Sequence, residues 1–391
     1  MKLLFYCDTV FSFGGVQRVL AEIAKALSEV HDVTILSTDT EEDLTMYDYD
    51  KSQVRFDYIK YDAVSFIERF ICKAYSFLFK KLLPHNRMTC SLYGKSSFLP
   101  SYQKKLIEKI NAGKYDFVIG VHAYLSFHLA TISNRIHTST VGWIHNSYDA
   151  LFEKQNPYLP GLREYFHWQI AKLDKIVVLS QADAVAFMKN MGLPTEVIYN
   201  PLTVNPKGRG DVYYKKFVAI GRFSYAHKGF DILIEAFSRF AQHNKNWNLE
   251  IVGEGPEECL YRSLIKKYHL ENRILLSPFT KNVQEHYSHA SAYVLSSRWE
   301  GFGLVLIEAM AHGLPIIASE LPVTKELLEN KGVALFFENE NIEQLSQCLE
   351  YMASKADVVT MGENAIQYSK EFDINSIIRI WNIKILGING R

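Results

Sequence analysis

SSRWEGFGLVLIEAMAHGLPIIAS, residues 296–319, decides how the chain folds. It follows the apolar run 292–297 (AYVLSS), which suits a buried strand. Gly301 and Gly303 free the backbone for a tight turn, and residues 304–311 then suit a helix. Gly313 and Pro315 end that helix, and the apolar residues after them begin another strand. A strand–turn–helix of this kind aims the first unpaired N–H groups of the helix at whatever lies above the strand ends. That is an anion site, most often for a phosphate.

Two carboxylates flank the turn, Glu300 before it and Glu308 more than a helical turn beyond it. Carboxylates repel a phosphate, so they are better suited to neutral hydroxyls on either side of one. A nucleotide sugar offers that order: sugar hydroxyls, a diphosphate, then ribose hydroxyls. The plainer alternative is an α/β unit in which Glu300 only complements the positive end of the helix.

At 391 residues the chain exceeds one ordinary core, and two domains are expected. The composition is 48% hydrophobic, enough for packed domains. Lys and Arg number 43 and Asp and Glu number 43, so no global charge favours nucleic acid. The five cysteines are scattered, without a Cys-x-x-Cys, as in a reduced cytoplasmic protein. The N-terminal apolar run is too short for a signal peptide, and no stretch approaches the ~20 apolar residues of a membrane span. Membrane contact, if any, is expected to be peripheral.

Outward from the quoted stretch, strands and helices alternate. In the first half, strands are expected at 2–7, 33–37, 115–121, 140–144, 175–179 and 196–199, with a helix at 15–27 and another from Gln181, capped by Ser180. Residues 202–211 read as a linker. The alternation resumes with strands at 217–221, 249–252 and 274–276 and helices at 229–242 and 257–268. The expected architecture is α/β: two facing doubly wound Rossmann-like domains, 1–201 and 212–372, with a cleft between them. Residues 373–391 read as a helix returning to the first domain.

Five short motifs resemble the retaining glycosyltransferases of family 4, which have the GT-B architecture. They are Glu300 and Glu308 with seven residues between them, Gly221-Arg222-Phe223 followed by Lys228-Gly229, residues 251–256 (IVGEGP), Ser277-Pro278-Phe279, and residues 197–201 (VIYNP). The resemblance covers essentially the whole chain and is strongest from Val218 to Ser319. It implies a metal-independent hexosyltransferase that uses a nucleoside diphosphate sugar and no other cofactor. Arg222 and Lys228 would bind the donor diphosphate, one as a fork and one as a compact charge. Glu300 would contact the donor sugar, Phe302, Gly303 and Leu304 would offer backbone N–H groups, and Glu308 would hold the ribose. The backbone at Pro278 and Phe279 would form the base wall. In the first half, the glycine loop at Phe13-Gly14-Gly15 would let Gly15 approach a phosphate or the acceptor. His145, closing a strand, resembles the family histidine beside the sugar; His122 and Asn146 are secondary candidates. Asp39 sits where an NAD ribose ligand would, but the loop lacks G-x-G-x-x-G. None of the 13 histidines has metal-ligand spacing.

The resemblance implies retention at the anomeric carbon, with the acceptor attacking from the face the diphosphate leaves. It favours UDP ahead of GDP, a glycan or lipid-linked glycan acceptor, and a role in surface polysaccharide assembly. Aromatic and basic residues alternate over 66–81, and the basic trend runs on to 109. The segment is either a surface resting on an anionic membrane at the inner face of the cell, or a helix with aromatics in the core and lysines in water. The rival functions are a GT-B sugar-nucleotide epimerase and a non-catalytic sugar-nucleotide-binding protein.

Overall fold

Strands such as FVIGV, KIVV, AYVL and IIAS are apolar on both faces, as strands of a parallel sheet covered by helices must be. The structure, a computed structural model, describes residues 1–60, 66–154, 157–354 and 357–388. It divides into two units: Met1–Pro201 with Ile374–Arg391, and Leu202–Asp373. Of the C-terminal segment 373–391, residues 389–391 lie outside the described residues.

The first unit contains β1 (Lys2–Tyr6), β2 (Asp32–Ser37), β3 (Arg55–Tyr58), β4 (Phe117–Val121), β5 (Ser139–Trp143), β6 (Lys175–Val178) and β7 (Glu196–Val197). Their order in the sheet is β3-β2-β1-β4-β5-β6-β7, every pair parallel. The second unit contains β8 (Lys216–Ile220), β9 (Asn248–Val252), β10 (Ile274–Ser277), β11 (Ala292–Leu295), β12 (Ile316–Ser319) and β13 (Ala334–Phe337), ordered β10-β9-β8-β11-β12-β13. Both sheets are doubly wound. The chain steps outward to one edge, then returns to the middle and steps to the other. The reversal falls between β1 and β4 in the first unit and between β8 and β11 in the second. Loops diverge at the carboxyl ends of such a strand pair and leave a crevice for a ligand.

Residues 202–211 have no regular secondary structure and bond into the second unit. Leu202 N–H donates to Phe372 O at 2.8 Å, Gly210 N–H to His312 O at 2.9 Å and Asp211 N–H to Ala290 O at 3.0 Å. The helix Ile374–Lys384 packs in the first unit, with Trp381 edge-on to Trp143 at 5.0 Å. The edge strands β3 and β13 were not expected from the sequence.

Candidate active site

At the second unit's reversal point, β8 delivers Gly221-Arg222 and the loop to Gly229, while β11 delivers Ser296 to Gly303. The two loops are tied together. Arg298 N–H donates to His227 O at 2.7 Å, and the Ser296 hydroxyl donates to Lys228 O at 3.0 Å. The Arg298 guanidinium bridges to both Asp231 oxygens at 3.0 and 2.8 Å and to Glu340 at 2.6 Å. Gly229 (φ 60°) lies so close to the β11 loop that a Cβ there would stand 2.1 Å from Ser296 O. The sequence motifs at 221–229 and 296–303 are therefore two sides of one construction.

Its centre is a charge pair. Lys228 Nζ donates to Glu300 Oε1 at 2.6 Å, and the Ser297 hydroxyl donates to the same oxygen at 2.6 Å. His227 Nε2 stands 3.6 Å from that oxygen, too long for a hydrogen bond, and its ring stacks on Trp299 at 3.7 Å. Burial alone would raise the Glu300 pKa. The Lys228 charge, with His227 beside it, outweighs burial and holds the carboxyl well below the usual carboxylate range. Burial lowers the His227 pKa against the opposing pull of Glu300. Glu300 is thus a fixed anion with its second oxygen open to a hydroxyl donor.

Beyond it the turn reaches Gly303 (φ 85°, ψ 56°), the left-handed cap of the helix Leu304–Ala311. Among the described residues, the N–H groups of Gly303, Leu304 and Val305 have no acceptor. Phe302 is buried near Phe372 at 6.2 Å. Glu308 is 1% exposed, accepting from Thr203 at 3.1 Å and from Tyr287 at 3.0 Å. Arg222 is exposed and, among the described residues, has no side-chain partner. Pro278 and Phe279 are exposed just past the end of β10, whose neighbouring loop is joined by Gly253 N–H to Ser277 O at 2.9 Å. The second unit therefore brings Lys228 and Glu300 into contact and sets the remaining candidates on loops at the same sheet edge or in the following helix.

In the first unit, Gly15 opens the helix Gly15–Ser28, whose Ncap Gly14 offers no side-chain cap. His145 follows β5, is 9% exposed and lies against Trp143 at 4.3 Å. Its Nε2 has no partner among the described residues. Burial, then the nearby His122, brings its pKa down to about 3, so the ring is neutral. At the reversal point itself stand Asp8 and His122. His122 Nδ1 accepts from Tyr124 N–H at 3.2 Å, which leaves the proton on Nε2, 3.2 Å from Asp8 Oδ2. His122 has φ 60°, a costly conformation for a non-glycine residue. Asp39 accepts from Thr9, Val10 and Ser37 at 2.6, 2.9 and 2.7 Å, so it fastens the loop after β1 and is not a free ribose ligand. The sequence reading missed Asp8, Ser297 and His227. Applying the reversal-point rule to β1 as well as β8 would have found Asp8.

A model of glycosyltransferase family 4 matches residues 13–205, and one of the glycosyl transferases group 1 matches residues 207–372. A glycosyltransferase of Haemophilus influenzae, itself uncharacterised, is 30% identical over 285 residues, 72% of this chain and 79% of its own. The amylovoran biosynthesis glycosyltransferase AmsD of Erwinia amylovora is 25% identical over 401 residues, 97% of this chain and 98% of its own. Among solved structures, Anabaena HepE in complex with UDP has a TM-score of 0.74 at 18% identity, covering 99% of this chain and 100% of that one. Two doubly wound parallel units, in a chain that glycosyltransferase family models match over both, define the GT-B class. More narrowly, the chain belongs to the glycosyltransferases of the family 4 type.

Proposed function

We propose that the protein is a retaining, metal-independent hexosyltransferase that moves a sugar from a UDP-sugar to a glycan or lipid-linked glycan acceptor in surface polysaccharide assembly, at the inner face of the cell membrane. The observation that carries the reading is the Lys228–Glu300 contact at 2.6 Å, set across the β8/β11 reversal beside an uncapped helix start. Supporting it, AmsD is named for amylovoran biosynthesis and HepE was solved with UDP.

Arg222, Lys228 and the N–H groups at Phe302, Gly303 and Leu304 receive the diphosphate; Glu300 and His145 hold sugar hydroxyls. Glu308 takes a ribose hydroxyl, Pro278 and Phe279 border the base, and Gly15 lets a phosphate or the acceptor approach. In transfer, the acceptor oxygen bonds to the anomeric carbon as the bond from that carbon to the phosphate oxygen breaks. The departing phosphate takes the acceptor's proton. Negative charge grows on the diphosphate in this step, and the two cations and the helix start stabilise it. Lys228 does this without a metal and keeps Glu300 ionised as a hydroxyl acceptor.

Glu300→Gln and Lys228→Ala are each expected to lower kcat/KM about 100-fold or more, the scale of losing one preorganised electrostatic contact. Chelation by EDTA is expected to leave the wild-type rate unchanged. UDP-sugars are expected to raise the melting temperature more than GDP- or ADP-sugars. Wild-type turnover in both variants would refute the site.

A further inference from the structure

The helix Phe66–Lys81 turns its apolar side to water. Phe66, Phe70 and Phe77 are 84%, 65% and 62% exposed, and Ile67, Ile71 and Leu78 are exposed with them. These positions recur at one, four, five, eleven and twelve residues from the first, which puts them on one face of a 3.6-residue helix. The opposite face does the packing. Phe79 is fully buried, stacked on Tyr93 at 4.5 Å and His85 at 4.4 Å, and the Tyr75 hydroxyl donates to Thr89 O at 2.9 Å. Of the aromatics expected in the core, Tyr75 and Phe79 face it, whereas Phe66, Phe70 and Phe77 face water alongside the lysines. A contiguous apolar face of this kind marks an interaction site.

Its charge says what covers it. Residues 66–109 contain nine Lys or Arg against two Glu, on a chain of zero net charge. Beside the helix lies a pocket of about 290 Å³ lined by Lys73, Lys80, Tyr93, Ser97, Tyr124 and Tyr158. Two ammonium groups, a serine hydroxyl and tyrosines at a pocket mouth suit phosphate oxygens; the neighbouring apolar stripe suits acyl chains. A second copy of this face would set like charges against like. Among the described residues no helix is long and apolar enough to cross a membrane, so this one would lie along it.

We infer that the helix Phe66–Lys81 and the pocket beside it dock the first unit on an anionic lipid bilayer, with lipid phosphates at Lys73 and Lys80 and the Phe66–Phe70–Phe77 face in the acyl boundary. The inference deepens the proposed function, on which it rests for the choice of acceptor: the acceptor is one carried on a lipid, delivered at the Tyr124 edge of the pocket, two residues from His122.

The test is co-sedimentation of the full chain with vesicles of equal parts phosphatidylglycerol and phosphatidylcholine. The expected result is binding to these vesicles, weakened by salt, and little binding to pure phosphatidylcholine. Phe70→Ser with Phe77→Ser, and separately Lys73→Glu with Lys80→Glu, are each expected to weaken binding about tenfold or more. All four side chains are on the surface; a far-ultraviolet circular dichroism spectrum and an unfolding temperature like those of wild type report in both variants that the first unit stays folded, and a surviving UDP-dependent rise reports an intact second unit. Equal binding to both vesicle types, undiminished binding by either variant, or a dimer in sedimentation velocity that the Phe70→Ser, Phe77→Ser pair abolishes would overturn the inference. Vesicle binding without any UDP shift in the wild type would overturn the donor assignment and leave this surface standing.

Discussion

His128 and His145 are buried imidazoles whose pKa values burial brings down to about 3. His128 lies flat on Phe98 at 4.2 Å and 5°, and neither of its nitrogens has a partner among the described residues. Both rings fold neutral, while the unfolded chain takes up a proton on each near pH 6.5. The unfolded state therefore binds more protons between pH 6.5 and about 3, and stability falls as pH drops through that window. Each ring contributes a slope of about 1.4 kcal/mol per pH unit there. His128→Phe fills a similar space without the titrating group. It is expected to raise the melting temperature relative to wild type clearly at pH 5 and much less at pH 8, as followed by circular dichroism. An equal shift at both pH values would contradict the assignment. At this scale the sequence showed identities better than partnerships. Glu300 and Lys228 stood out as residue types in motifs, but their contact, and the Ser297 hydroxyl on the same oxygen, depend on two loops separated by some 70 positions of chain. Asp8 looked like any loop carboxylate until β1 and β4 became neighbours.

Elements with an apolar run on both faces were legible, and so were the edge strands β7 and β10, but the edge strands β3 and β13 were not. The strand FVIGV announces itself, whereas β3 (RFDY) has one exposed and three half-buried residues. It reads as a strand only because Arg55 to Tyr58 pair with Thr34 to Ser37. β13 is similarly half-buried at three of its four residues. The helix Phe66–Lys81 shows the converse limit. Periodicity located a two-sided helix, but which side met the core depended on Phe79 finding Tyr93. Glycines at close approaches are more informative, since they specify contacts between elements. Gly229→Ala would force a Cβ to within 2.1 Å of Ser296 O, a backbone atom that cannot rotate away, at a left-handed φ of 60°. The β8 and β11 loops must then part. The expected outcome is a loss of about 2–3 kcal/mol from strain and lost contacts, read from urea unfolding, together with a fall in kcat/KM similar to that of Lys228→Ala. A variant with wild-type activity would show that the loops do not need this approach.

For the whole molecule, the chain crosses between its units twice, near Pro201 and again near Asp373. The first unit is therefore discontinuous, and its last helix is a structural part of it. Trp381 is 1% exposed and meets Trp143 edge-on; Trp143 in turn lies against His145. Lys175 Nζ donates to Lys384 O and Ile385 O at 2.5 and 3.0 Å, satisfying carbonyls at the helix end where a cation is favoured. Removing 374–391 would uncover Trp143 and unpair Lys175, whereas the second unit keeps its sheet and the core around Phe217, Phe237 and Leu249 within 202–373. Losing a buried Trp alone costs about 3–5 kcal/mol, a large share of a domain's stability of about 5–15 kcal/mol. Residues 202–373 expressed alone are thus expected to unfold in one cooperative transition and to be stabilised by UDP. Residues 1–201 alone are expected to lack a cooperative transition by calorimetry and to gain one when residues 374–391 are joined back through a short flexible linker after Pro201. Cooperative unfolding of 1–201 by itself, at the temperature of the joined form, would show that the returning helix is dispensable and that His145 is positioned without it.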